Sequence, residues 1–376
     1  MASSSSSASV PTLAFGVEIE LLVRPRSSFV PELLAAGWDR AVVSPLGEES
    51  RLARNRNVLR HAIASRLTNA KIPATTNADE YRGWTVADEG SLDELEGLWR
   101  LELISRKIST DEDWQVEFHQ VFQLLDQLCE VRLTSGCSMH VHVSPSKDLS
   151  RTFTMPELRN IMKAMAYYDD AVTRVMPPRR KNNPWATSNM VSEKTAKNVR
   201  DAHAAVRHSS WGPLFRIFDE VKAKAQIPLQ LFNDKFIAWN FKNLTGCGTV
   251  EFRRPPGVQT AEAARFWTGL TLAFVRQAMD TKWDSYQTSR SHPTVEHLRE
   301  FISRGFTKLE RTCQGALDVR ELAEDPSPAT RFSSAEIRAI DRKKAMKERQ
   351  GGGFAQKANS RPNTPSSSSG SSSSRR

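Results

Sequence analysis

Apolar residues take every second position from Phe15 to Leu21 in "FGVEIELLV", residues 15–23: Phe15, Val17, Ile19 and Leu21 fall on one face, Gly16, Glu18 and Glu20 on the other. A period of two predicts a strand with one apolar side, and this one carries two carboxylates on its polar side. The device recurs. In "GCSMHVHVS", Cys137, Met139, Val141 and Val143 oppose Ser138, His140, His142 and Ser144. In "GTVEFRR", Val250 and Phe252 oppose Thr249, Glu251 and Arg253. In "WRLELIS", Trp99, Leu101 and Leu103 oppose Arg100 and Glu102. "WTVADEGSL" reads as a further strand, turning back at Glu94–Gly97, and "KFIAWNFKNL" as the partner of "GTVEFRR".

Helical spacing separates these strands. Residues 54–70 read as a helix, as does the run with Trp114, Phe118, Val121, Phe122, Leu125 and Leu128 on one face, opened by a capping box of Ser109 and Glu112. Thr154 and Glu157 form the box of another, which Pro177 and Pro178 stop. Further helices are expected near 190–207, 211–226 and 260–281. Short strands between helices, none uniformly apolar, predict an α+β body with a largely antiparallel sheet.

Composition narrows the setting. The formal net charge is +10, but residues 331–376 hold eleven Lys and Arg against three acidic residues, a surplus of eight. The charge therefore describes a tail, and nucleic acid gains from it no more than non-specific phosphate attraction; with only Phe332 and Phe354 there, base stacking is not expected. No apolar run approaches the ~20 residues of a membrane span, and no secretory signal leads the chain. Four Cys without paired spacing predict reduced thiols and an intracellular, cytoplasmic protein, the basic tail leaving a nuclear location open. The organisation expected is a Ser-rich disordered start (1–12), a catalytic domain (13–325), a basic helical segment (326–350) opened by a possible capping box in "SSAE", and a disordered low-complexity tail (351–376). Turnover is expected to survive removal of 331–376.

If the four alternating strands share a sheet, their polar faces converge on one floor. Carboxylates so crowded repel one another unless a divalent cation lies among them. Oxygen ligands favour Mg²⁺, and a histidine joins such a shell more readily with Mn²⁺. Alternation puts Arg253 beside Glu251 and turns Arg254 away, so Arg254 is expected to tolerate Lys. No glycine-rich phosphate loop is present, so a nucleotide would be held by metal and arginine. "PPRRKNNP" offers Arg179, Arg180 and Asn183 as anion-binding candidates.

Together these motifs resemble the amidoligase family, within the glutamine synthetase and glutamate–cysteine ligase superfamily of ATP-dependent carboxylate–amine ligases. "FGVEIE" looks like the superfamily's first strand, "SGCSMHVHVS" is similar to its Met-His-x-His segment, and "NFKNLTGCGTVEFRRPPG" looks like the Gly-Thr-x-Glu-Phe-Arg signature. "WTVADEGSL" and "LELISR" resemble a further pair of family elements; the family's aspartate there falls on Glu89, with Asp88 adjacent, and Arg106 stands where the family has proline. The resemblance spans roughly 14–280. It implies a glutamine-synthetase-like catalytic domain, a curved sheet floor with helices on its other face. Glu18, His140 and Glu251 would hold the cation at the terminal phosphate of ATP. Glu20 and Glu102, with Glu89, would hold the cation at the substrate side. Arg253 would neutralise the transferred phosphoryl group, His142 would contact nucleotide or substrate, and Asn240 would orient its neighbours. The implied activity is amide-bond formation through an acyl phosphate, with ATP and Mg²⁺ or Mn²⁺, small-molecule carboxylate and amine substrates and a γ-glutamyl-type donor. Two rival readings are a hydrolase using His140 and His142 on zinc, and a catalytically degenerate binding protein.

Overall fold

The computed structural model describes residues 12–42, 49–77 and 81–349. The disorder expected at the two ends falls on residues outside this description, apart from residue 12.

Strand β1 (Ala14–Pro25) is the centre of a nine-stranded sheet. Beside it lie β2 (Ala74–Thr75), β3 (Trp84–Ala87) and β4 (Trp99–Ile104) on one flank. On the other lie β7 (Met139–Ser144), β9 (Val250–Phe252) and β8 (Trp239–Asn240), in that order outward, while β5 (Ile108–Ser109) and β6 (Cys129–Arg132) pair with the ends of β1. Every pairing is antiparallel except β2 with β3. The fold is thus the α+β class that the alternating segments predict.

The apolar faces point into one core. Phe15, Val17, Ile19 and Leu21 are buried, and the helices Trp114–Leu128 and Ala261–Asp280 lie against that side. Trp114 meets Phe15 edge-on at 5.2 Å and Phe274 stacks on Trp239 at 4.9 Å. Each such side chain contributes about 1.5–3 kcal/mol by leaving water, which is how one strand can hold two carboxylates in place on its other face. Helix Val295–Phe306 closes on Ala261–Asp280 at Gly305, where a Cβ would collide with the Ala273 carbonyl oxygen. No helix among the described residues is long and apolar enough to cross a membrane.

Several boundaries differ from the pattern. Thr154 and Glu157 do form a capping box. Ser109 and Glu112 do not cap the next helix, which starts at Trp114 without a side-chain cap; they close a turn through Ser109 N to Glu112 Oε1 at 2.9 Å. The helix from Met155 breaks at Tyr168, and those from Lys197 and Gly212 are only eight residues long. The strand pair around Glu251 is two and three residues long, because Lys242–Leu244 coil into a 3₁₀ turn and Gly248 adopts a φ of 73°. The basic segment forms the helix Ser334–Arg349, opened by reciprocal bonds between Ser333 and Glu336.

Candidate active site

Register brings the polar faces together. Across β1 and β7, Glu18 stands opposite His140 and Gly16 opposite His142. His142 stands opposite Glu251 across β7 and β9, and Asn240 opposite Glu251 across β9 and β8. On the other side of β1, Glu20 stands opposite Glu102. Like charges placed directly opposite destabilise a sheet, so this floor is built for something other than its own stability.

Two clusters result. In the first, Glu18, His142 and Glu251 each offer a ligand atom, all within 4.8 Å of one another. His142 Nε2 lies 3.2 Å from Glu18 Oε1, and its Nδ1 lies 3.2 Å from the Thr249 hydroxyl. Glu251 is held on both sides: Asn240 and Asn243 donate to Oε2 at 2.7 and 3.1 Å, and Arg253 pairs with Oε1. In the second cluster, Glu20, Glu89 and Glu102 meet the same 4.8 Å limit, and all three are buried. Asp88 turns away to Arg100 at 3.2 Å and Arg56 at 3.6 Å, so Glu89 is the acid of this pair that faces the cluster.

Both imidazoles lie against Glu18 and Glu251: His140 Nδ1 is 3.6 Å and His142 Nε2 3.8 Å from Glu251, so His142 joins His140 beside the two glutamates, and it is the ring whose ligand atom groups with theirs within 4.8 Å. His140 Nδ1 lies 2.9 Å from Glu18 and its Nε2 3.0 Å from the Ser138 hydroxyl, which donates to Glu20 at 2.5 Å. The chain Glu18–His140–Ser138–Glu20 therefore ties one cluster to the other. The cause is the β1–β7 register, which seats the His140 ring between two glutamates of the same strand.

Burial and charge oppose each other here. Burial drives the Glu18 carboxyl up, but the His142 charge and bonds to both imidazoles hold it well below the usual carboxylate range. Glu251 is likewise lowered, burial being outweighed by Arg253 and His142. Burial pulls His142 down, yet Glu251 and Glu18 push it up to about 9. Glu102 is raised well above its ordinary value by burial and by the charges of Glu89 and Glu18. A carboxyl that resists ionisation inside a trio of acids marks a place short of positive charge.

The arginines divide. Arg253 is on the floor, its Nη1 on Glu251 and its buried Nε without a hydrogen-bond partner. Arg254 does turn the other way, but it is 1% exposed and donates to Thr173 Oγ1 at 2.6 Å and to the Lys181 carbonyl at 2.9 Å. Its expected tolerance of Lys is therefore withdrawn. Arg180 does not present its fork as an open anion site: it is buried and donates to the carbonyls of Arg253 and Arg254. Arg179 pairs with Glu336, and Asn183 caps the turn at Trp185.

Sequence reasoning did not single out Asn243, Ser138, Tyr81 or Lys347. Ser138 and Asn243 carried a signal, since one lies on the polar face of a recognised strand and the other follows Asn240 by three positions. Tyr81, held at a φ of 57°, lines a cavity of about 70 Å³ with Gly16, Glu18, His142, Cys247 and Thr249. Lys347 lies 2.7 Å from Glu89.

No curated protein matches the chain by sequence. The model of the family described as "putative amidoligase enzyme" matches residues 11–275, a span that holds both clusters and excludes the basic helix. That description is of an enzyme joining carboxylate to amine, and the match covers more than half of the chain. The chain belongs to the putative amidoligase family.

Proposed function

We propose that the protein is an ATP- and divalent-cation-dependent carboxylate–amine ligase that works through an acyl phosphate. The observation that carries this reading is the register that sets Glu18, His142, Glu251 and Arg253 on one face, with Glu20 of the same strand, Glu102 of β4 and Glu89 after β3 meeting beside them.

The residues suit hard cations. Five of the six clustered ligands are carboxylates, and three of these share a buried pocket. Glu18, His142 and Glu251 would hold one divalent cation, Mg²⁺ or Mn²⁺, and Glu20, Glu89 and Glu102 a second. Such cations supply neutralisation of phosphate charge.

The chain's own groups do the rest. Asn240 and Asn243 fix one oxygen of Glu251 and Arg253 the other, so Glu251 keeps a single orientation. Arg180 fixes the backbone at Arg253, leaving the free Nε of that residue to meet a phosphoryl oxygen. Carboxylate oxygen attacks the terminal phosphorus of ATP and ADP departs. Amine nitrogen then attacks the acyl carbon, phosphate departs and a proton is lost. The protein contributes positioning and charge, which is most of what phosphoryl transfer needs. The family likeness favours a γ-glutamyl-type carboxylate as donor.

The zinc-hydrolase reading leaves Glu20, Glu89 and Glu102 and the arginine paired with Glu251 without a part. The test is phosphate release from ATP over an array of amino-acid carboxylates and amines, with Mg²⁺ or Mn²⁺. Release that needs carboxylate, amine and cation together is the expected result. Cation-dependent hydrolysis of amides or esters without ATP would overturn the reading.

A further inference from the structure

The second cluster already has a cation beside it, and that cation is part of this chain. Lys347 Nζ lies 2.7 Å from Glu89 Oε1, and the charges of Glu89, Glu20 and Glu102 raise its ammonium against the partial loss of water around it. Lys347 belongs to helix Ser334–Arg349, outside the family match.

How that helix is attached decides what it can do. None of its residues is buried. It is held by ion pairs at its edges: Arg179 with Glu336 at 3.2 Å, Lys194 with Glu348 at 2.9 Å and Lys343 with Asp93 at 2.6 Å. Lys235 donates to the Lys347 carbonyl at 3.0 Å, and Lys347 lies over the Trp185 ring. Ion pairs of this exposure contribute about 0–1 kcal/mol each and are screened by salt. An apolar face would hold a helix down; this one is laid on by charge.

We propose that helix Ser334–Arg349 is a displaceable plug, in which Lys347 occupies the cationic position of the Glu20–Glu89–Glu102 pocket and is exchanged for the divalent cation that the pocket binds. The proposal rests on the cation reading of that pocket given above. One ammonium brings a single charge to three crowded carboxylates. A divalent cation brings two and takes their oxygens as direct ligands, so it is the better occupant and drives the helix off. The segment before the helix remains tied, through Thr330 N to the Pro178 carbonyl at 3.0 Å, so the plug stays tethered when released.

The test uses the full chain, with Mn²⁺ as probe and no substrate. Free Mn²⁺ is measured by electron paramagnetic resonance during titration of the wild type, Lys347→Met and Lys347→Arg. Amide exchange over 334–349 is followed with and without Mn²⁺. The plug predicts that Lys347→Met tightens one of two Mn²⁺ sites by about tenfold or more, that Lys347→Arg does not, and that Mn²⁺ speeds exchange in the wild-type helix. Equal Mn²⁺ affinity in wild type and Lys347→Met overturns the plug and leaves the cation reading intact. Tightening without faster exchange also overturns it, since only the side chain would then move. Absence of Mn²⁺ binding in every form overturns the cation reading and the plug with it.

Discussion

Glu251 is gripped by three side chains, yet none of those contacts is needed to keep the core dry. Asn240, Asn243 and Arg253 spend their bonds on aiming one carboxylate. Glu251→Gln and Glu18→Gln keep the shape and remove the charge. Each is expected to lower ligase turnover by about 100-fold or more, equivalent to about 3 kcal/mol of transition-state stabilisation, with little change in melting temperature. Steady-state assays beside melting curves check this, and near-normal turnover in either variant counts against the cation assignment. Arg253→Lys and Arg254→Lys are both expected to fail, for different reasons. Arg253→Lys keeps its charge but loses the planar fork, so turnover collapses in a folded protein. Arg254→Lys loses the buried bonds to Thr173 and the Lys181 carbonyl, which costs about 2 kcal/mol of stability and shows first as a lower melting temperature. Alternation tells which way each arginine points. It does not tell what waits on the other side, and Arg254 finds a buried polar pocket there.

At the scale of elements, the strands with a strict period of two were the legible ones. β1, β4 and β7 declare their faces because one side must be apolar for the strand to pack. β2 and β5 are two residues long and exist only as partners of longer strands, so no local pattern marks them. Register is also a property of the assembled sheet, which is why the sequence names both His140 and His142 but not that both stand by Glu18 and Glu251. Capping boxes show the same limit. Thr154–Glu157 caps a helix that begins at once, whereas Ser109–Glu112 has the same spelling and sits five residues before Trp114. Thr154→Ala is expected to cost about 1 kcal/mol. Ser109→Ala is expected to be nearly neutral, because only the backbone of Ser109 bonds to Glu112. Chemical denaturation of the two variants separates these outcomes.

At the scale of the whole molecule, most of the surplus charge lies after residue 330, and this is where the sequence misleads most. Read along the chain, the basic segment is an appendage. In the fold, Lys343 reaches Ser91, 252 positions away, and Lys347 reaches the acid pocket. Charge surplus carries no address, so only the assembled structure reveals the contact. The cysteines are simpler. Burial pushes the Cys129 and Cys313 thiols up to about 12 and raises Cys137, while Cys247 is half-buried beside the cavity at Tyr81. A neutral disulfide reagent at pH 8 is therefore expected to label one thiol of the four quickly, and the others only on unfolding. Mass mapping of the modified residue identifies it, and fast labelling of Cys129 or Cys313 would show that the core opens more readily than its packing implies.

The account turns on whether a carboxylate is activated by phosphorylation. With a carboxylate and amine pair that supports phosphate release, the carboxylate is labelled with ¹⁸O and the phosphate formed in one turnover is analysed by mass spectrometry. An acyl phosphate transfers one labelled oxygen from each carboxylate to the phosphate, and that is the predicted result. Phosphate carrying oxygen from water alone, with the amide product still formed, would contradict it.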